Sequence, residues 1–404
     1  MKIVIASDSY KGSLSSKEVG EIIKNGFSAV FDNTDILVVP IGDGGEGTVE
    51  SLVDATNGRY YDIEVTAPLI GKVMASYGIS GDGDTAFIEM ASSSGLNLTP
   101  IDKRNPYTST TYGTGEVLKS ALDKGVKKII MGIGGSATND GGIGLAAALG
   151  VKFLDAEGRM ISNDNKGIED LDRIDISSID KRLKDIEIIA ACDVDNPLTG
   201  KNGASYIYGG QKGADLEMIE IMDQNLYKLA AIIRRDLNID IEHLPGAGSA
   251  GGLGAGLMAF CGAKLNSGID IVLDFLKFDQ KIKEADLVIT GEGRFDHQTL
   301  MNKAPIGVAR RAKAQGIKVI GIAAVFSDKA DILLENGFDA IFSIVSKLSS
   351  IDEAISTTEK NLLTLSKSIA RLLWNSLFIT AIWQMSDSVF NKRTRRSTKM
   401  LISM

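Results

Sequence analysis

The sequence predicts an α/β protein. A doubly wound parallel sheet is assembled from the two ends of the chain, and a second α/β domain with a mixed sheet is inserted between them. Three observations predict this. The first 56 residues read strand, helix, strand, helix, the pattern of a parallel sheet. From Tyr60 to Met90, three closely spaced alternating segments follow without helices, which suits an antiparallel or mixed section. At the other end of the chain, strands that look parallel and helix-connected lie at Leu287, Lys318 and Ala340. The expected division is 1–60 with 281–375, an inserted domain at 61–280, and an atypical tail at 376–404. A single cut near residue 155 fits less well, because the middle keeps its own strands and helices.

The elements follow in order. Ile3 to Ala6 is a short β-rich run, and Ser15 with Glu18 forms a capping box that opens a helix to about Val30. Ile36 to Val39 is the second strand. The glycine turn Gly42-Asp43-Gly44-Gly45-Glu46-Gly47 follows, and a helix runs from Thr48 to about Ala55. Strands are expected within 61–66, 72–79 and 85–90, then a helix ending near Lys124 and strands at Lys128–Gly132 and Ile186–Ala191. Helices are expected at Ile143–Leu149 and from Asp215 to about Leu237. The glycine-rich Gly246–Gly256 stretch opens another. The closing strands are Leu287–Thr290, Lys318–Ala323 and Ala340–Val345, with Pro305 suited to a first helical turn and a last helix at 351–373.

At 404 residues the chain is long enough for two domains with sizeable cores. Its net charge is −8, and the tail carries Lys392, Arg393, Arg395, Arg396 and Lys399 against Asp387, so the body is more acidic still. An acidic body argues against nucleic acid as a partner. Two cysteines in apolar contexts, Cys192 and Cys261, suit buried thiols in a reducing compartment, hence the cytoplasm. Two histidines exclude a multi-His zinc site. Neither a signal-peptide pattern nor a membrane-length apolar stretch is expected.

In open α/β sheets, ligands bind outside the carboxyl ends of the strands. Acids cluster at that position here: Asp8, Asp43, Glu46, Asp140, Asp193, Asp195, Glu292 and Asp296. Any one of them is more often a turn or cap residue, but surface acids without a role would also fall on helix faces. The Gly42–Gly47 turn and Gly246–Gly251 both match G-x-G-x-x-G. A nucleotide-dependent dehydrogenase of a small hydroxy acid could use the first, which follows a strand and has Asp62 downstream. Against it, Asp43 and Glu46 place negative charge where a pyrophosphate must sit. The second match reads better as close helix packing, bordering a ligand cleft.

No P-loop and no G-x-S-x-G motif occurs. What remains is carboxylates, glycine-rich anion turns such as Gly134–Gly142, and isolated cations at Lys11, Lys212, Arg294 and Lys303. For Lys212 and Lys303 the plain alternative is solvated surface; for Arg294 it is an ion pair to a neighbouring acid. Phosphoryl transfer needs this inventory: carboxylates for Mg²⁺, backbone N–H groups and cations for phosphates, and one carboxylate for the attacking hydroxyl.

The motifs also carry a family resemblance. They are Ser7-Asp8-Ser9-Tyr10-Lys11-Gly12, Gly42–Thr48, Gly134–Gly142, Cys192-Asp193-Val194-Asp195-Asn196-Pro197-Leu198, Gln211-Lys212-Gly213-Ala214 and Gly291-Glu292-Gly293-Arg294-Phe295-Asp296. In this order, from Met1 to about Leu373, they resemble the glycerate kinases of the bacterial two-domain type. The resemblance implies ATP-dependent, Mg²⁺-dependent phosphorylation of D-glycerate, with 2-phosphoglycerate the usual product. It also implies a flavodoxin-like domain made from both chain ends with an inserted α/β domain. Two departures stand out: Ala324-Val325-Phe326-Ser327-Asp328 replaces a glycine-rich continuation, and the family pattern stops before the tail.

The resulting expectation places D-glycerate and the ATP phosphates in a cleft between the domains. Asp193 or Asp296 acts as base or orients the hydroxyl. Lys11 and Arg294 hold the substrate carboxylate or stabilise transferring charge, with Asp8 and Ser9 as further substrate contacts. Gly134, Gly135, Ser136, Thr138 and Lys212 receive the nucleotide phosphates. Asp43, Glu46 and Glu292 are the Mg²⁺ candidates. The tail has no catalytic role, and homo-oligomerisation is left open.

Overall fold

The structure, a computed structural model, describes residues 1–32, 34–42, 48–300, 303–327, 330–347 and 350–374. The chain separates into two compact units. One comprises Met1–Val39, Ile282–Asp296 and the described residues from Ala312; the other comprises Pro40–Lys281 and the described residues of 297–311.

The first unit is built on strands β1 (Lys2–Ile5), β2 (Asp35–Val38), β11 (Leu287–Phe295), β12 (Lys318–Phe326) and β13 (Ala340–Ser343). They form one all-parallel sheet in the order β2-β1-β11-β12-β13. This is the 2-1-3-4-5 order of a flavodoxin-like doubly wound sheet, whose ligand edge lies where β1 and β11 diverge at their carboxyl ends. The helix Ser16–Ser28 begins with the expected capping box: Ser15 Oγ accepts from Glu18 N–H, and the Glu18 carboxylate accepts from Ser15 N–H. Its buried face, Val19, Ile23 and Phe27, packs on Ile3, Ile5 and Ile289, each fully buried apolar side chain adding about 1.5–3 kcal/mol.

Two strands run further than the sequence suggested. The sequence reading ends β11 at Thr290, before Gly291 and Gly293, and β12 at Ala323. Instead Glu292 pairs with Ala323, Arg294 with Val325 and Phe295 with Phe326. Phe295 stacks on Phe326 at 5.9 Å between ring centroids and meets Phe338 edge-on. Cross-strand pairing and aromatic packing override the local turn signal. Val325 and Phe326, which depart from the family pattern, therefore lie in a strand.

The second unit carries a mixed six-stranded sheet. Its strands are β3 (Arg59–Thr66), β4 (Lys72–Ile79), β5 (Thr85–Glu89), β6 (Lys128–Gly132), β9 (Glu187–Ala191) and β10 (Lys264–Asn266), in the order β10-β9-β6-β5-β4-β3. β5, β6, β9 and β10 are parallel, whereas β3, β4 and β5 meander antiparallel. A two-stranded ribbon, β7 (Lys152–Leu154) with β8 (Arg173–Asp175), stands apart. The sequence reading missed β7, β8, β10 and the helix Ala204–Tyr208. The core runs through Ile88, Val117, Met131, Phe153, Leu226 and Leu253. The helix Ser249–Cys261 is kinked, with positive φ at Ala250, Gly251 and Gly252. At Gly251 (φ +72°) a Cβ would lie 1.9 Å from the Thr138 carbonyl oxygen, so glycine there sets a close backbone approach.

Among the described residues, no helix is long and apolar enough to cross a membrane. Residues 375–404, and with them almost all of the expected tail, lie outside the described residues.

Candidate active site

In the second unit, β6 and β9 end side by side, and each hands over to a loop. β6 runs into Ile133-Gly134-Gly135-Ser136; β9 runs into Cys192-Asp193-Val194. A cavity of about 280 Å³ opens at these carboxyl ends, bounded also by Tyr208, Gln211, Lys212, Ser249 and Ala250. Its size is near the lower end of the roughly 300–1,000 Å³ typical of small-molecule sites.

The β6 loop is pinned from behind. Leu96 N–H donates to the Gly135 carbonyl and Ala137 N–H to the Ser94 carbonyl, both at 2.9 Å. Gly135 has φ +72°, which turns the loop back on itself. Among the described residues, the N–H groups of Gly134, Gly135 and Ser136 have no protein acceptor. Consecutive N–H groups around a left-handed residue form a nest suited to anions.

Lys212 completes this corner. It ends a short 3₁₀ turn, Gly210–Lys212, and the chain then reverses at Gly213 (φ +98°), where a Cβ would lie 2.6 Å from the Arg104 carbonyl oxygen. Only glycine lets the chain turn there. The Lys212 side chain is buried, and its Nζ donates to Ser136 Oγ at 2.6 Å and to the Thr138 carbonyl at 2.7 Å. Burial pulls its ammonium pKa down to about 7, against a smaller upward pull from Asp140. Asp140 is fully buried and accepts from Thr111 N–H, Thr111 Oγ, Gly142 N–H and Gly144 N–H at 2.7–3.2 Å. Desolvation raises its pKa above the usual carboxylate value, and those four donors oppose the rise.

In the first unit, Asp8, Ser9 and Lys11 follow β1, and Glu292, Arg294 and Asp296 lie in or directly after the neighbouring β11. Asp8 N–H donates to the Gly291 carbonyl at 2.8 Å, and Ser9 N–H donates to Asp8 Oδ1 at 2.6 Å. Gly293 backs onto Tyr10 and Lys11. The Tyr10 hydroxyl donates to the Ile322 carbonyl; burial, with the Glu292 charge beside it, pushes its pKa far up. Arg294 is exposed, with Nε 3.7 Å from Asp296. This is the ion pair to a neighbouring acid weighed for Arg294, and its exposure keeps it weak.

The Glycerate kinase family matches residues 3–374 of the chain. The chain belongs to this family. The glycerate kinase of Bacillus cereus (strain ATCC 10987 / NRS 248) is 51% identical, over 92% of this chain and 97% of that protein. The glycerate 2-kinase of Escherichia coli (strain K12) is 51% identical over 92% and 98%. A crystal structure assigned to glycerate kinase 2 of Salmonella typhimurium LT2 superposes with a TM-score of 0.86 at 49% identity, covering 93% of this chain and 99% of that one. The chain is thus an enzyme of the glycerate kinase family, with the two-sheet α/β fold of that structure.

Within this glycerate kinase fold, the expected site residues divide by unit. Asp193, Gly134, Gly135, Ser136, Thr138 and Lys212 lie in the second unit; Asp8, Ser9, Lys11, Glu292, Arg294 and Asp296 lie in the first. Asp193 lines the cavity and accepts from Gly268 N–H at 3.1 Å. Thr138 is fully buried and reaches Lys212 only through its carbonyl. The far end of the Gly134–Gly142 turn faces inward, because Asp140 occupies the Gly142 N–H. Lys212 is not solvated surface. The Mg²⁺ candidates Asp43 and Glu46 lie outside the described residues, and so does most of the Gly42–Gly47 turn. Among the described residues, no group of three His, Cys, Asp or Glu side chains is placed to hold a metal. Mg²⁺ needs no such cage, since it is commonly held by one or two carboxylates together with phosphates. Of the expected Mg²⁺ candidates, Glu292 is described, buried within β11. The sequence reading missed Tyr208 in the cavity wall, and nothing local signalled it. Ser249 and Ala250 lie in the glycine-rich stretch expected to border a ligand cleft.

Proposed function

We propose that this chain transfers the γ-phosphoryl group of ATP to D-glycerate, with 2-phosphoglycerate as the product. The observation that carries the reading is the loop Gly134-Gly135-Ser136, whose N–H groups have no acceptor among the described residues, lining one cavity with the buried Lys212 amine. A phosphate chain supplies acceptors to all of these donors at once. The 51% identity to a protein named glycerate 2-kinase supports the position of transfer.

In this reading the nest and Lys212 hold the nucleotide phosphates, and Ser136 can donate its own proton onward because its oxygen accepts from Lys212. Asp193 or Asp296 orients the attacking hydroxyl and accepts its proton. Lys11 and Arg294, with Asp8 and Ser9, hold the glycerate carboxylate and hydroxyls. Glu292, with Asp43 and Glu46, would hold Mg²⁺, which when bound would supply charge neutralisation to the phosphates. The surroundings are those of a cytoplasmic metabolic enzyme.

The test is a coupled ADP-release assay with ATP, Mg²⁺ and D-glycerate, with EDTA and no-glycerate controls. Glycerate-dependent, EDTA-sensitive release is expected. Folded protein that releases ADP equally without glycerate, or not at all, would overturn the reading.

A further inference from the structure

Lys212 is an unusual cation for a phosphate pocket. Among the described residues, its Nζ contacts only neutral oxygens, Ser136 Oγ and the Thr138 carbonyl. Among the described residues no carboxylate lies within ion-pair distance of it. The charged and titratable groups around it come from four directions. Asp140 lies behind the β6 loop, Cys192 and Asp193 follow β9, Tyr208 closes the cavity wall, and Arg104 donates to the Gln211 carbonyl next door. Asp140 is the carboxylate whose field reaches the amine, and its own oxygens are fully engaged by Thr111, Gly142 and Gly144. A buried ammonium without a contacting counter-ion is poorly stabilised. An anion seated on the neighbouring nest supplies that counter-ion.

We propose that Lys212 is a proton-linked anchor, taking up a proton as the phosphate chain enters the nest, and that Asp140 is the positioning residue that sets how readily it does so. This rests on the nucleotide reading given above and deepens it. Without a bound anion, burial outweighs Asp140 and pulls the amine pKa down to about 7. Beside a phosphate it is held as an ammonium. Anion affinity therefore falls as pH rises through neutrality. The four bonds to Asp140 also fix the far end of the loop, so one carboxylate shapes the nest and tunes its cation.

The proposal is tested by calorimetric titration of the full-length protein with ADP, and separately with inorganic tripolyphosphate, from pH 6 to 8 in buffers of differing ionisation enthalpy. At pH 8 the wild type should take up about one proton per site, and its affinity should fall roughly tenfold between pH 6 and 8 beyond any change in Lys212→Arg. Lys212→Arg should bind without proton uptake. Asp140→Asn should move the loss of affinity to lower pH, and Lys212→Arg in the same chain should abolish that shift. A purely structural Asp140 would lower thermal stability without moving the pH profile. Absence of proton uptake in the wild type overturns the proposal and needs no variant to fold. Tripolyphosphate binding with uptake, but no ADP binding, would sustain the anchor and reject the nucleotide. Binding of neither anion rejects the anchor.

Discussion

Replacing Lys212 by Met should remove the cation of the pocket and change how the stability of the ligand-free protein depends on pH. Burial moves the Lys212 pKa from 10.5 to about 7. At about 1.4 kcal/mol per pKa unit, holding the charged form in the folded state costs on the order of 4–5 kcal/mol. Methionine has a similar reach and no charge. Against that gain, Ser136 Oγ and the Thr138 carbonyl lose a donor, at roughly 1–3 kcal/mol each where water cannot replace it. The two effects roughly offset each other at pH 7, with a balance between about −2 and +3 kcal/mol. Its pH dependence is the sharper quantity. Between about pH 7 and 10.5 the unfolded chain keeps a proton on Lys212 that the folded chain has lost, so wild-type stability rises with pH. Lys212→Met has no such group. Its stability relative to the wild type should therefore fall by about 2 kcal/mol between pH 7 and pH 9. Urea unfolding of both proteins at the two pH values, followed by far-ultraviolet circular dichroism, measures this. The same stability difference at pH 7 and pH 9 would refute the reasoning, whatever its sign.

Three further outcomes follow from the geometry. Gly251→Ala puts a Cβ 1.9 Å from the Thr138 carbonyl oxygen at a left-handed φ, and should cost roughly 2–4 kcal/mol by denaturant unfolding. Of Asp193→Asn and Asp296→Asn, one should lower kcat at least about 100-fold with a smaller change in KM; near-wild-type kcat in both would reject a carboxylate base from either position. A thiol reagent should label Cys192, which is partly exposed, in the native protein, and Cys261 only after unfolding; burial pushes the Cys261 thiol up to about 12.

The sequence made much of this fold legible, because its strands announce themselves by apolar runs that end in Gly, Ser and Asp. The Ser15–Glu18 capping box and the parallel strands at Ile3, Ile36, Leu287, Lys318 and Ala340 are all present. The alternating texture after Tyr60 is the antiparallel β3–β4–β5 meander. What stayed hidden depends on partners distant in sequence. β7, β8 and β10 are three residues each, too short to show a period. The extension of β11 through Gly291 and Gly293 is fixed by β12, which no local pattern reveals. At the site, Gly134, Ser136 and Lys212 were legible as types, an anion turn and a cation. That Lys212 is buried against Ser136 was not, since 76 residues separate them. Asp140 stood among the strand-end acids, yet its inward orientation and hold on Thr111 and Gly144 emerge only from packing. The Gly246–Gly251 stretch proved to be close packing, as its small residues suggested, with Ser249 and Ala250 at the cavity edge.

The most direct test of the account is phosphorus NMR of the protein incubated with ATP, Mg²⁺ and D-glycerate. The account predicts glycerate-dependent loss of the γ-phosphate signal, equal growth of ADP, and one new phosphomonoester resonance matching authentic 2-phosphoglycerate. Growth of the 3-phosphoglycerate resonance instead would contradict the proposed position of transfer. An unchanged ATP spectrum from folded, full-length protein would contradict the kinase reading itself.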